Sequence, residues 1–383
     1  MSPSVLGRLA LVLGVAACRS VYDGLAVRLQ SGVVRGAVAG SRAVGGGGGI
    51  PRAEFPLTLV PADASAASPA ALAAWLATAG DDVEALLRTH GAVLFRGFDL
   101  ADADAFAEIV EAMGFLEEHD GSASAAPRTR VAHRIFTANE APPDKVIPFH
   151  HEMAQASSWP THVMFFCEAA PDLGCGGQTP ICRSDVALAA LTACRRAFVE
   201  SLRTGVRYRR VVPEFDDASS PQGRGWRALF GVEDRAACEA QLLAQSYYFE
   251  WLPGGDVALT TSLLAAVATP DDANDAPAVF FNSVVAAYVG WNDARNVGAE
   301  AVLLDGMPLD FADLDAAVRT LDDNAVAFDW QKGDLLVVDN RRTLHSRRPF
   351  RGKRRILASL AHVKSRSARN AQETPAGDAA PAD

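Results

Sequence analysis

A mainly β fold, a sandwich or barrel of short strands interrupted by helical insertions, is what this 383-residue sequence predicts. Three observations carry that expectation. From about residue 129 onward, short apolar runs recur, each bounded by turn formers. Helical periodicity is confined to a few stretches. No segment repeats another, and no apolar run approaches the roughly 18 residues that a membrane span requires.

Residues 1–49 stand apart. They contain five Arg, no Lys and one acid, Asp23, so they carry +4 against −14 for the remainder of a chain whose net charge is −10. Arg- and Ser-rich, acid-poor composition is expected of an organelle transit peptide. Leu9–Cys18 also forms a short apolar core after Arg8, as in a secretory signal. Gly45–Gly49 reads as a flexible linker. The expected division is a leader at 1–49, one folded domain at 50–363, and a polar, disordered tail at 364–383. The expected destination is an organelle, chloroplast ahead of mitochondrion, and otherwise the cytoplasm. Removing the leader leaves five cysteines without a C-x-x-C pair, which suits reduced thiols inside a cell.

Along the folded part, Asp81-Asp82-Val83-Glu84 predicts a helix start with a capping acid, running to Gly91. Ala92–Phe95 follows as a buried strand. Asp102 caps a second helix, in which Phe106, Ile109, Val110 and Met113 share a face and Gly114 is the stop. Strands are then predicted at Arg130–Ile135, Ile147–Glu152, His162–Cys167, Val206–Val212, Ser246–Trp251, Ala278–Asn282, Asp334–Asp339 and Arg355–His362. Helices are predicted at Ala187–Leu202 and Leu309–Leu321. The acidic balance argues against a general nucleic-acid role, and the Arg341–Arg355 cluster is local.

The chemistry concentrates in Ile147-Pro148-Phe149-His150-His151-Glu152-Met153. On a strand, residues two apart share a face, so His150 and Glu152 would point together and His151 away. An imidazole and a carboxylate so placed grip a divalent metal, and one distant His would complete a two-His, one-carboxylate triad with three open coordination positions. By itself, His-x-Glu is more often a chance triplet. The zincin motif H-E-x-x-H does not apply, because Gln155 occupies the second His position. The far element is Gly333–Asn340, a strong buried strand, followed by Arg341-Arg342-Thr343-Leu344-His345 and, ten residues on, Arg354-Arg355. His345 supplies a third ligand, and an Arg on the next strand would pair with the distal carboxylate of a chelating 2-oxo diacid. The bland alternative is a loop histidine beside a solvated basic patch.

Taken together, GAVLFRGF (91–98), FTANEAPPDKVIPFHHEMAQ (136–155), CGGQTPICRSDV (175–186), FFNSVVAAYVGW (280–291) and GDLLVVDNRRTLHSRRPFRGKRRILASL (333–360) resemble the TauD/TfdA family of Fe(II)/2-oxoglutarate-dependent dioxygenases, in its clavaminate synthase-like branch. The likeness spans roughly 54–363. It implies a double-stranded β-helix (jelly roll) with helices packed outside. It implies His150, Glu152 and His345 as iron ligands and places the 2-oxoglutarate anchor in Arg354-Arg355, with Arg355 preferred. Thr179 falls where relatives bring a hydroxyl to the 2-oxoglutarate carboxylate. Glu152 replaces the commoner Asp of the wider family. The implied reaction consumes O2 and 2-oxoglutarate, releases succinate and CO2, and oxidises a C–H bond of a small, anionic or amino-acid-like molecule. The alternatives are a non-catalytic jelly-roll binding protein, or another metalloenzyme such as a zinc hydrolase.

Overall fold

The computed structural model describes residues 33–38, 41–45, 52–114, 116–119, 128–156, 158–220, 223–270, 276–290, 295–296, 298 and 301–363. Most of the predicted leader and all of the predicted tail lie outside these residues.

The chain opens with strands β1 (Val33–Arg35), β2 (Arg42–Val44), β3 (Ala53–Phe55) and β4 (Leu57–Pro61), then helix α1 (Pro69–His90), β5 (Ala92–Phe95) and α2 (Ala103–Ala112). Next come β6 (Leu116–Glu118), β7 (Arg130–Ala132), β8 (Ile135–Thr137), β9 (Ile147–His150), β10 (His162–Ala169) and β11 (Ile181–Arg183). Helices α3 (Ser184–Cys194) and α4 (Arg196–Leu202) lead into β12 (Arg207–Val212), α5 (Trp226–Phe230), α6 (Arg235–Ala244), β13 (Tyr248–Trp251) and β14 (Val257–Thr260). The last part holds α7 (Val284–Val289), β15 (Val302–Leu304), β16 (Met307–Pro308), α8 (Phe311–Asn324), β17 (Leu335–Asp339), β18 (Thr343–Arg347) and β19 (Arg355–Val363).

Two sheets make the double-stranded β-helix. The main sheet runs β1-β4-β5-β17-β10-β19-β8-β7, with β6 on β19; the minor sheet is β11-β18-β9. The apolar runs that read as buried strands are buried on both faces of the main sheet. Met164, Phe166, Leu335 and Val337 pack with Leu72, Leu76, Phe106 and Ile109 of α1 and α2. Their neighbours Val163, Phe165, Leu336 and Val338 face the other way, into a second cluster shared with Ile181 of the minor sheet. Period-two alternation across a sheet covered on both sides produces an unbroken apolar sequence. The minor sheet's outer residues Phe149, Cys182 and Leu344 are covered by α3, α4, α7 and α8 through Leu188, Leu191, Phe198, Val284 and Leu314. A separate sheet, β13-β14-β12-β15-β16, sits in the insertion between β11 and β17, with its own small core around Trp226 and Cys238.

Several boundaries differ from expectation, each for a local reason. Helix α1 begins at Pro69, twelve residues before the acid pair, capped by the Ser68 hydroxyl, which accepts from the Ala71 N–H at 3.2 Å. Ser68-Pro69 was the true start signal, since Pro at the first helical position gives up no hydrogen bond. Gly91 closes the helix at φ 79°, a left-handed conformation that suits glycine. The strand expected at Ala278–Asn282 is reduced to one bridge, Ala268 to Val279. The run at 130–135 is a hairpin, with Arg134 at φ 60° in its turn. The helix expected at 187–202 is two, broken at Arg195. The folded part also starts before residue 50, because Val33–Arg35 pairs with Leu59–Pro61 and Arg42–Val44 with Ala53–Phe55. Cys167, Cys182 and Cys238 are buried free thiols, Cys175 is half-buried and Cys194 exposed. No described helix is long and apolar enough to cross a membrane.

Candidate metal centre

The minor sheet brings two histidines side by side. In its register His150 on β9 lies directly opposite His345 on β18, and His345 opposite Ile181 on β11. Directly opposed residues on adjacent strands share a face and put their side chains in contact. The two imidazole centroids are 4.3 Å apart. Both rings point inward, toward the main sheet, where Phe165 of β10 lies 5.1 Å from the His345 ring. His345 is therefore a strand residue, not a loop residue. The strand was missed because Thr343–Arg347 is polar, and polar strands do not announce themselves by hydrophobic periodicity.

Glu152 joins them by another route than the sequence suggested. Strand β9 ends at His150, and residues 151–155 turn, with Met153 at φ 58°. The turn, not strand alternation, brings the carboxylate back. Asn340 fixes it: its Oδ1 accepts from the Glu152 N–H at 2.7 Å, and its Nδ2 donates to the carbonyls of Glu152 at 3.0 Å and Pro160 at 2.7 Å. Sequence reasoning did not single out Asn340. Its signal was a polar residue at the end of a fully apolar strand, where a side chain replaces the lost ladder partners. His151 faces away, its Nδ1 against the Asn340 carbonyl and its Nε2 2.9 Å from the Ser184 hydroxyl.

Ligand atoms of His150, Glu152 and His345, all buried, lie within 4.8 Å of one another. Glu152 Oε2 is 3.9 Å from His150 Nε2 and 3.7 Å from His345 Nε2. His150 Nδ1 donates to the Pro148 carbonyl at 2.8 Å, which leaves the Nε2 lone pair facing the cluster. Burial and the neighbouring His345 push the His150 protonation down to about 3, so the ring is a neutral donor. Burial alone would raise the Glu152 carboxyl, but the Arg128 guanidinium and the two histidines hold it well below the usual carboxylate range. Arg128 Nη2 donates to Glu152 Oε1 at 2.8 Å, so Oε2 is the oxygen turned to the histidines. Two imidazole nitrogens and one carboxylate oxygen, deprotonated and convergent, fit a divalent first-row metal with positions to spare.

The predicted anchor residues separate. Arg355 is about half exposed and pairs with Glu168 at 2.5 Å, on the outside of the sheet. Arg354 turns inward: its Nε donates to the Gly177 carbonyl at 2.8 Å and its Nη2 to Thr179 Oγ1 at 3.3 Å. Of the two adjacent arginines, the fold turns Arg354 inward and leaves the preferred Arg355 on the surface. Arg355 opens β19, and its place opposite Ala169 follows a register shift on β10 that sequence spacing does not disclose. Gly177 permits the approach, since a Cβ there would lie 2.9 Å from Arg354 Cδ. Burial, reinforced by Arg347, lowers the Arg354 guanidinium to about 10, and it remains charged at neutral pH. Thr179 is buried and also receives the Trp330 indole N–H at 3.2 Å. A cavity of about 620 Å³ walled by Gln178, Trp330 and Arg348 borders this side but includes none of the three clustered residues. Asn139 and Asn282 are engaged with backbone groups.

A double-stranded β-helix with two histidines and a carboxylate converging on its inner face has the architecture of non-haem iron oxygenases. The chain belongs to the TauD/TfdA family: the family model described as taurine catabolism dioxygenase TauD, TfdA family matches residues 55–360. It is 42% identical over 312 residues to a clavaminate synthase-like protein of Arabidopsis thaliana, covering 80% of this chain and 93% of that one. It is 26% identical over 293 residues to the dapdiamide synthesis protein DdaC of Enterobacter agglomerans, covering 73% and 84%. The crystal structure of PvcB from Pseudomonas aeruginosa aligns with a TM-score of 0.48 at 16% identity, over 80% of this chain and 86% of that one. The protein is an Fe(II)- and 2-oxoglutarate-dependent dioxygenase.

Proposed function

We propose that His150, Glu152 and His345 hold the iron, that Arg354 and Thr179 receive the distal carboxylate of 2-oxoglutarate, and that the enzyme oxidises a C–H bond of a small, anionic or amino-acid-like substrate. The observation that carries this reading is the convergence of three buried, metal-competent atoms within 4.8 Å. Arg354 supports the cofactor assignment: it is charged and partly buried, and its hydrogen bonds run to a carbonyl and a hydroxyl. A desolvated cation with no carboxylate paired to it among the described residues is poised for an incoming dianion.

Bound in this site, iron supplies the redox chemistry that couples O2 and 2-oxoglutarate to oxidation of the substrate C–H bond. The chain supplies position. Pro148 fixes the tautomer of His150. Arg128 and Asn340 fix the carboxylate and the backbone of Glu152. Phe165 closes one side of His345 and excludes water there.

An anaerobic titration tests the assignment. The full-length protein, given Fe(II) and then 2-oxoglutarate, should develop the weak visible charge-transfer band of the chelate. Glu152→Ala should abolish the band. Arg354→Ala should raise the 2-oxoglutarate midpoint by about 30-fold or more, as expected for a buried charge-assisted pair, and Arg355→Ala should move it less than about threefold. A larger shift for Arg355→Ala than for Arg354→Ala would reverse the anchor assignment. No band in the wild type would remove the site assignment altogether.

A further inference from the structure

Arg128 has more hydrogen-bonding capacity than the structure uses. Its side chain is 12% exposed, and one nitrogen, Nη2, donates to Glu152 Oε1. Nε and Nη1 are buried and have no acceptor among the described residues. A guanidinium offers two edges of two N–H groups each, and both edges share Nη2. Whichever Nη2 proton Glu152 takes, the other edge keeps both of its donors. Leaving buried donors unsatisfied is costly, and such groups in a native site call for a partner.

The backbone that carries Arg128 is held firmly. Thr129 and Thr137 exchange hydrogen bonds, Thr129 N–H to Thr137 Oγ1 and Thr137 N–H to the Thr129 carbonyl, both at 2.8 Å. Glu140 accepts from both threonine hydroxyls. The free edge is thus presented from a fixed base beside Glu152. It is also distinct from the cofactor anchor. Arg354 contacts Gly177, Thr179 and Phe350, whereas Arg128 contacts Glu152.

Charge count points the same way. Glu152 and Arg128 cancel. A divalent metal and doubly charged 2-oxoglutarate cancel. Arg354, with buried Arg347 near it, then leaves the loaded site net positive, which a negative substrate group would offset. We propose that Arg128 binds the substrate: its free edge receives a carboxylate, or an oxyanion of like shape, and so sets the substrate's C–H bonds beside the metal while Nη2 keeps Glu152 in place. This rests on the metal-site reading above and extends it to the substrate.

The test uses the full-length protein and propanoate, a minimal acid with two carbons beyond its carboxylate. With Mn(II) in place of Fe(II) and saturating 2-oxoglutarate, the relaxation of propanoate protons should be enhanced saturably, and that of propanamide should not. Arg128→Lys keeps a cation for Glu152 but has no two-donor edge; Arg128→Gln removes the charge. Both should weaken the propanoate effect at least tenfold at metal and 2-oxoglutarate concentrations that saturate each variant, as read by the anaerobic chelate band of its Fe(II) form. Equal behaviour of propanoate and propanamide, or an undiminished effect in both variants, overturns the proposal. Loss of the chelate band in Arg128→Lys together with the propanoate effect also overturns it, because Arg128 then serves Glu152 alone. Absence of the band in the wild type is a different result, and removes the metal-site reading first.

Discussion

The two sheets of the β-helix put the same strand geometry to different uses. In the main sheet both faces are apolar: Phe166 and Val337 face the helices, Phe165 and Val338 the interior. In the minor sheet the outer face is apolar and the inner face is mixed, with Ile181 beside the two histidines. Phe149 and Leu344 pack under helices, while their neighbours His150 and His345 turn inward beside Glu152. The main sheet's second apolar face contributes the floor of the site, with Phe165 against His345. The minor sheet gives up part of its inner apolar burial to a cluster of metal-competent side chains, and the helices behind it compensate. Stability and chemistry are therefore weighted toward different layers, which meet at Phe165 against His345 and in the apolar cluster that Ile181 shares with the main sheet.

That division can be tested from both sides. The largest effect is expected in the main sheet. Phe166 is fully buried and stacked on Phe106 at 5.2 Å, so Phe166→Ala should cost about 3–5 kcal/mol of stability, read as a lower urea midpoint. Its midpoint for 2-oxoglutarate, measured where the variant is folded, should be unchanged; a shifted midpoint would mean that the layers are coupled more closely than their contact suggests. Asn340→Ala should do the reverse. It removes the side chain that ties the Glu152 turn to the end of β17, and Fe(II) affinity should fall by about 10- to 100-fold, as for loss of a group that orients a metal ligand. An unchanged Fe(II) titration would show that the turn holds itself.

The smallest expected effect is on pH dependence. His90 and His151 are buried, and burial pushes their protonation down to about 4 and about 3 from the ordinary 6.5. As pH falls below 6.5 the unfolded chain gains these protons and the folded chain does not, so stability should decline progressively from pH 6.5 toward 4. Urea midpoints across that range should fall, and His90→Asn should make the fall shallower. A flat profile would mean that neither ring is held neutral by the fold.

Much of this was legible beforehand, and unevenly. Buried strands such as Leu335–Asp339 and His162–Ala169 declared themselves through composition, because a strand with an apolar layer against each face is apolar through its centre. Strand β18 did not, since Thr343–Arg347 is polar even though every residue in it is buried. His150, Glu152 and His345 were legible as residue types at a telling separation. The reason first offered for His150 and Glu152, two residues on one strand face, was not the one the molecule uses.

The sequence by itself determined the class of fold, the donor set and the family, because those reside in residue identity, order and hydrophobic pattern. It did not determine which of two adjacent arginines turns inward, nor that Arg128 would lie 2.8 Å from Glu152. The arginine choice depends on strand register, in which a shift of one residue exchanges inside for outside. The Arg128 contact depends on a hairpin folding over a turn 24 residues further on. Both are decided only when the sheets pack and their buried charges find partners.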